Sequence, residues 1–192
     1  IIFFVFLNFE NNFSELFLSL TSSISNVGFS LNNSSSNLSF VFLILVIIGG
    51  SFFSTSSGIR FLKIYSLFKY SINEILSYSR PKNIYINKHL FSKDSFKLDE
   101  IYKYFLSVIV FIISLLILTF LLTLSGIDFE SSFKLSILTI MNTVNSSMFG
   151  LGDFSFYDLH FMTKYYLIFF MIIGRLELLT LLIICKKFLF KN

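Results

Sequence analysis

The sequence contains little of what a soluble or secreted domain needs. Among its 192 residues there are one cysteine, one proline and no tryptophan, and only 14% of the residues are charged. A single cysteine excludes an intrachain disulfide and a metal site built on thiolates, and a soluble domain carries roughly 25% charged residues. A disordered tail, a disulfide scaffold and an ordinary cytosolic enzyme are therefore excluded. Hydrophobic residues make up 55% of the chain, and 28 residues are phenylalanine.

The few charges are unevenly distributed. Nine basic and four acidic residues lie between Arg60 and Lys103, and three further lysines lie near the C-terminus. Segments 10–37 and 125–164 have the opposite balance, with more acidic than basic residues. Because Lys and Arg mark the cytoplasmic side of a membrane protein, the basic linker 69–100 and the C-terminus are predicted to be cytoplasmic. Apolar runs flank the basic segment on both sides, so we expect no nucleic-acid partner.

Three stretches are apolar enough to cross a lipid bilayer, which takes about 20 residues. They cover 104–124, 165–190 and an interrupted stretch over 38–68, which is broken after residue 48 and resumes at residue 59. In the first of them, Ser107, Ser114, Thr119 and Thr123 can bond back to their own helix. Residues 1–9 are too short to span. Since they lack an initial Met and a basic flank, they are interpreted as the end of a truncated helix and not as a signal peptide.

Two moderately apolar segments are too short and too polar to cross. We predict short helices over 13–25 and 129–144, each followed by a loop of hydroxyl, amide and glycine residues, 25–30 and 145–150. This pattern is typical of a re-entrant pore helix with a non-helical loop, which membranes tolerate only where protein or a water-filled cavity surrounds it. Two interfacial amphipathic helices are the alternative.

The same order of segments occurs twice, as in duplicated membrane units. The predicted fold is an all-α integral membrane protein with two repeats of outer helix, pore helix, re-entrant filter loop and inner helix. The first unit is 1–68, with the end of an outer helix and a broken inner helix over 38–68. The linker 69–100 follows, and the second unit is 101–192, with its outer helix over 101–124 and its inner helix over 160–190.

Three stretches resemble the membrane subunit of Trk-type potassium uptake systems, in the Trk/Ktr/HKT superfamily. They are Ser-Asn-Val-Gly-Phe-Ser at 25–30, the Gly/Ser/Thr-rich interruption at 48–60 and Met-Ile-Ile-Gly-Arg-Leu-Glu-Leu-Leu-Thr-Leu-Leu at 171–182. Arg80-Pro81 also matches a family feature of the linker. Because members of this family have four repeats, the resemblance implies that this chain is the third and fourth repeat, the C-terminal half of a potassium-channel-like architecture.

The resemblance implies potassium transport without catalysis. Backbone carbonyls in the filter would replace the hydration shell of K+, and glycine permits the dihedral angles that aim them inward. The residues in this role are Ser25, Asn26, Val27 and Gly28 in the first unit and Asn145, Ser146, Ser147 and Met148 in the second. Met148 stands where the family has glycine, so either Met148 or Gly150 ends the second filter. No cofactor is expected, and K+ is the transported ion.

A gate and a pore charge are also implied. The gate is the interruption of the first inner helix, which consists of Gly49, Gly50, Ser51, Phe52, Phe53, Ser54, Thr55, Ser56, Ser57 and Gly58. A packed helix kink is the alternative for this segment. Arg175 lies deep in an apolar helix, where a charge is costly and usually faces the protein interior. It is predicted to face the pore below the filter, with a structural ion pair as the alternative.

The expected partners are the lipid bilayer and, by the resemblance, a second copy of the protein and a cytoplasmic nucleotide-binding Trk-type regulatory subunit. The expected location is the bacterial inner membrane, which the chain would cross several times. Three alternatives stay open at this point. They are a secondary transporter with broken helices but no filter, a membrane-embedded enzyme such as a lipid-linked transferase, and a truncated product without function. The sequence shows no cluster of acid, base or nucleophile residues that an enzyme would need.

Overall fold

The computed structural model describes residues 13–29, 39–48, 61–79, 98–144, 147–152, 154–157, 159–175 and 187. Within these ranges the chain forms helices and loops and no strand. The helices are α1 (Phe13–Ile24), α2 (Ser39–Ile48), α3 (Phe61–Ser79), α4 (Leu98–Leu124), α5 (Phe129–Met141) and α6 (Phe161–Arg175), and a short 3-10 turn covers Ser147–Phe149. The all-helical prediction is confirmed for this part of the chain.

Helix α4 is the one described helix that is long and apolar enough, by length and composition, to cross a membrane. Its apolar stretch Glu100–Leu124 has 25 residues, which at 1.5 Å per residue is about 38 Å. As predicted, three hydroxyl groups in it donate to carbonyls of the preceding turn, from Ser114, Thr119 and Thr123. Ser107 instead accepts a hydrogen bond from Lys63 Nζ of α3 at 3.3 Å, which ties these two helices together.

Helix α5 lies at the centre of the described structure. Residues 135–141 are all buried, and the helix packs against α2, α4 and α6. Its buried hydroxyl groups have carbonyl partners. Ser136 donates to Ser132 O and Thr139 donates to Leu135 O within the helix, and Ser132 donates to Ile127 O just before it. Helix α1 packs against α2. The loop after α1 and the loop after α5 are the segments that these contacts bring to the functional site.

Large apolar side chains cover the outward faces of α4 and α6. They include Phe105, Ile112, Leu116 and Phe120 on α4 and Ile168, Phe169 and Ile172 on α6, each with about half or more of its surface exposed. A water-soluble protein rarely exposes a continuous apolar patch of this kind. These faces suit contact with lipid or with further membrane helices.

Several helix boundaries differ from those expected from the sequence. The second short helix ends at Met141 and not at residue 144, because Asn142 adopts a left-handed conformation that ends it. Helix α3 continues to Ser79, well inside the predicted linker 69–100. Apolar residues at 65, 68, 72 and 75–76 keep the spacing of a helix face, so the basic residues among them do not interrupt the helix. Helix α4 begins at Leu98, three residues before the predicted start at residue 101.

Candidate functional site

The short helix α1 ends in a glycine-type cap formed by an asparagine. Asn26 has φ +58°, its N–H donates to Ser23 O at 3.2 Å, and the Val27 N–H donates to Ser22 O at 3.0 Å. These two hydrogen bonds form a Schellman motif, which ends a helix and satisfies its last carbonyls. Asparagine suits the position because it tolerates the left-handed region better than other residues with a side chain.

Helix α5 ends in the same way. Asn142 has φ +55° and ψ +35°, its N–H donates to Thr139 O at 3.1 Å, and the Thr143 N–H donates to Leu138 O at 2.9 Å. The two short helices therefore deliver their following loops in the same geometry. Asn26 of the first unit corresponds to Asn142 of the second.

The correspondence of Asn26 and Asn142 is visible in the sequence, although a comparison of the glycines in the two units does not find it. Four pairs of identical residues are spaced by 116 positions along the two short helices and their caps. The pairs are Phe13 and Phe129, Phe17 and Phe133, Ile24 and Ile140, and Asn26 and Asn142. Alignment of the two helices, instead of the glycines that follow them, finds the cap positions and adds Thr143 and Val144 to the candidate site.

The two loops are in direct contact. The Val144 N–H donates to Val27 O at 3.2 Å. A Cβ atom built on Gly28 would lie 2.3 Å from Val144 O and 2.7 Å from Thr143 Cγ2, so only glycine allows the loops to approach this closely. Residues more than a hundred positions apart thus form one site.

The backbone of the first loop turns its successive peptide groups. Asn26 and Gly28 have φ +58° and +79°, whereas Val27 between them does not have positive φ. Because the sign of φ changes from each of these residues to the next, successive carbonyls need not point to opposite sides as they do in a regular strand. The end of this loop is attached to α1, since the Phe29 N–H donates to Ser22 Oγ at 2.6 Å. Ser25 Oγ donates back to Thr21 O at 2.8 Å.

The second predicted filter is only partly described. Asn145 and Ser146 lie outside the described residues, and Ser147 and Met148 belong to the 3-10 turn. Met148 is fully buried. The left-handed conformation in this loop is adopted by Gly150, with φ +72°, and not by Met148, in keeping with the cost of positive φ for a bulky residue. Among the described residues, the atoms nearest to a Cβ built on Gly28 belong to Thr143 and Val144.

A paired positive charge lies beside this loop. Lys134 Nζ is 2.5 Å from Glu130 Oε1 and lies close to Gly150, where an added Cβ would be 3.2 Å from it. The hydrogen bond from Lys134 holds the pKa of the Glu130 carboxyl below its usual range. At neutral pH the carboxylate therefore offsets the ammonium charge next to the loop.

Helix α6, the predicted inner helix of the second unit, packs closely on the end of α5. A Cβ atom on Gly174 would lie 2.2 Å from Ile140 O and 3.2 Å from Asn142 Nδ2. Arg175 follows at the end of the described helix, with an exposed side chain. Glu177 and the predicted gate, 49–58, lie outside the described residues.

One polar group at the site has no partner among the described residues. Thr143 Oγ1 is buried and makes no hydrogen bond, whereas buried hydroxyl groups are normally bonded. In the described ranges, no three His, Cys, Asp or Glu residues come together as metal ligands. The oxygen atoms that the described part of the site offers are those of carbonyl and hydroxyl groups.

Comparison with known proteins agrees with the all-helical fold. A family model for TrkH, described as a cation transport protein, matches residues 7–190. The crystal structure of the potassium transporter TrkH from Vibrio parahaemolyticus is similar, with a TM-score of 0.76 and 21% sequence identity. The match covers 95% of this chain and 41% of that chain. At this identity the likeness concerns the fold. No curated protein matched the chain.

Proposed function

Because the chain belongs to the TrkH family of cation transport proteins, we propose that it forms part of a K+-selective pathway through the membrane. The observation that carries the proposal is the contact between the two loops, in which the Val144 N–H donates to Val27 O at 3.2 Å. Two similarly capped short helices deliver these loops to one place, as a filter built from several repeats requires. The family is one of transporters, so the membrane-enzyme alternative is set aside.

In the proposed filter, backbone carbonyls take the place of the ion's hydration shell. Ser25, Asn26, Val27 and Gly28 supply them in the first unit. Val27 O already accepts one hydrogen bond from Val144, but a carbonyl oxygen has two lone pairs, so it retains acceptor capacity for an ion. In the second unit, the stretch 145–148 remains the predicted contribution, preceded by Thr143 and Val144, which contact the first loop.

The remaining parts of the mechanism are proposals as well. Segment 49–58 would act as the gate, since apolar constrictions can close a pore by dewetting, and Phe52 and Phe53 supply bulk for it. The chain would lie in the bacterial inner membrane with the linker 69–100 and the C-terminus in the cytoplasm. The assembled protein would be a homodimer that binds a cytoplasmic nucleotide-binding regulatory subunit.

Arg175 is proposed to limit the flux of K+. Its exposed side chain makes no ion pair with any described residue. We expect Arg175→Gln to raise K+ flux per molecule about fivefold or more and to admit more Na+, because a unit charge 4 Å from the ion contributes about 1 kcal/mol even in a water-like dielectric. Arg175→Lys is the control, since it keeps the charge and should keep the low flux. Flux and protein abundance are measured together.

A structural role for Arg175 would give the opposite result. If the side chain is half of a buried ion pair, its removal costs about 3–5 kcal/mol. Arg175→Gln would then lower the amount of protein in the membrane, while the flux per surviving molecule would not change.

The proposed function is tested by growth. The complete gene product, expressed in bacteria that lack their own K+ uptake systems, is expected to restore growth at submillimolar K+, because K+ entry limits growth under these conditions. A strain carrying the empty vector is the control. Equal growth of the two strains at low K+, with the protein present in the membrane, would contradict the proposal.

A further inference from the structure

Asn142 links the loop after α5 to the inner helix. Its side-chain Nδ2 donates to Met171 O of α6 at 3.0 Å. Met171 lies three residues before Gly174, the glycine that lets α6 approach the end of α5. The hydrogen bond thus joins the residue that ends the short helix to the turn of the inner helix that packs on it.

Asn26 makes the same link in the first unit. The nitrogen and oxygen of an Asn amide are told apart by their hydrogen-bond partners. With the nitrogen of Asn26 turned toward the neighbouring carbonyls, Nδ2 donates to Val46 O of α2 at 3.1 Å and to Ser23 O at 3.2 Å, whereas the other orientation sets oxygen against acceptors only. Val46 lies three residues before Gly49, as Met171 lies before Gly174.

The repetition is independent of loop length. Asn26 and Val46 are 20 positions apart in the sequence, whereas Asn142 and Met171 are 29 apart. The loops between these residues therefore differ by nine positions, yet the same amide reaches the equivalent carbonyl. A contact that arises by chance in one unit has no reason to recur at the matching residues of the other.

We infer that Asn26 and Asn142 are positioning residues for ion selection, each of which holds its loop on the backbone of the inner helix that follows. The inference rests on the proposed function, since it concerns how the proposed filter keeps its shape. Each side chain meets two needs at once, because Asn tolerates the left-handed cap and its amide supplies a donor. Glycine meets the first need only. Aspartate keeps the shape but has no donor when ionised.

These two hydrogen bonds would couple each loop of the proposed filter to the inner helix that follows it. A shift of the inner helix backbone at Val46 would therefore move the hydrogen-bonded Asn26, and with it the peptide groups of Val27 and Gly28. The second unit repeats this connection through Met171.

The test uses Asn26→Gly and Asn142→Gly in the complete gene product. Glycine keeps the left-handed cap without strain and removes only the amide, so each variant should fold. Ser125→Gly is the matched control, because Ser125 Oγ also donates to a helix-end carbonyl, Leu122 O at 2.7 Å. Ser125 precedes α5, whereas the loop at 142–144 follows that helix. Asn142→Asp serves as a second variant that preserves side-chain volume.

Two measurements separate positioning from simple capping. In Asn142→Gly, amide hydrogen exchange at Val144 should become about fivefold faster, the factor that corresponds to one net hydrogen bond, because Val144 N–H is bonded across to Val27. The ratio of K+ to Na+ flux per molecule should fall by a similar factor in both glycine variants. Asn142→Asp should behave like Asn142→Gly, and Ser125→Gly like the unmodified protein.

The outcomes are distinguishable. Unchanged exchange and an unchanged flux ratio in both glycine variants would overturn the inference and leave the two residues as helix caps. Faster exchange at Val144 supports the hydrogen bond, and a lower K+ to Na+ ratio supports its role in selection. Absence of K+ flux in the unmodified protein would contradict the proposed function, whereas the exchange measurement would still decide whether the links hold the loops.

Discussion

Gly28→Ala is expected to remove at least 90% of the K+ flux per molecule and to weaken discrimination against Na+. The new Cβ would lie 2.3 Å from Val144 O and 3.0 Å from Val144 N, and backbone atoms cannot rotate away as a flexible side chain can. Overpacking of this kind costs about 1–3 kcal/mol, and the positive φ adds about 1–2 kcal/mol for a residue with a side chain. The two loops must therefore move apart, which changes the direction in which their carbonyl groups point.

Gly126→Ala is the matched control for this prediction. Gly126 also has positive φ, +90°, but an added Cβ would meet no atom within 4 Å. It therefore carries the backbone strain without the collision. We expect Gly126→Ala to lower stability by about 1–2 kcal/mol and to leave flux and selectivity unchanged. Equal effects of the two substitutions on selectivity would show that the contact of Gly28 with Val144 is unimportant.

Gly174→Ala is expected to destabilise the protein, although the same change in an open helix would stabilise it. Alanine is preferred over glycine in a helix interior by about 1 kcal/mol. Here the added Cβ would lie 2.2 Å from Ile140 O, so α6 must move away from α5 at a cost of about 1–3 kcal/mol. The displacement also stretches the hydrogen bond from Asn142 to Met171. Selectivity should therefore fall together with thermal stability.

The direction in which Gly174→Ala shifts the unfolding temperature is the informative result. Thermal unfolding of the purified complete gene product should begin at a lower temperature for Gly174→Ala than for the unmodified protein. Ile172→Ala serves as the control on the same turn, because Ile172 is exposed in this chain and should tolerate truncation with little effect. A raised unfolding temperature for Gly174→Ala would show that α6 does not pack on Ile140 as described.

The sequence predicted the elements of the fold better than their ends and contacts. Long apolar runs indicated α4 and α6, and the short segments indicated α1 and α5. Helices that are buried in lipid or protein need apolar residues, so their positions can be read from the local composition. The end of α5 at Met141 was missed because Val144 continues the apolar pattern of the segment beyond Asn142 and Thr143. Only the left-handed Asn142, which matches Asn26, ends the helix there.

The candidate site could be predicted only in part from the sequence. Gly28 was identified from the resemblance of segment 25–30 to the filter segment of the family, and its positive φ agrees with the reason given for a glycine in that loop. The contact of Val27 with Val144 joins residues 117 positions apart, and no local pattern specifies such a pairing. The links of Asn26 and Asn142 to the inner helices depend on helix packing, which composition does not record.

The most direct test of the account is ion selectivity in a purified system. The complete gene product is reconstituted into liposomes loaded with K+, and the liposomes are then diluted into K+-free medium that contains a trace of radioactive rubidium. The account predicts that rubidium accumulates as K+ leaves, that external K+ blocks the accumulation, and that equal Na+ does not. No accumulation above that of empty liposomes, or equal block by Na+ and K+, would contradict a K+-selective pathway.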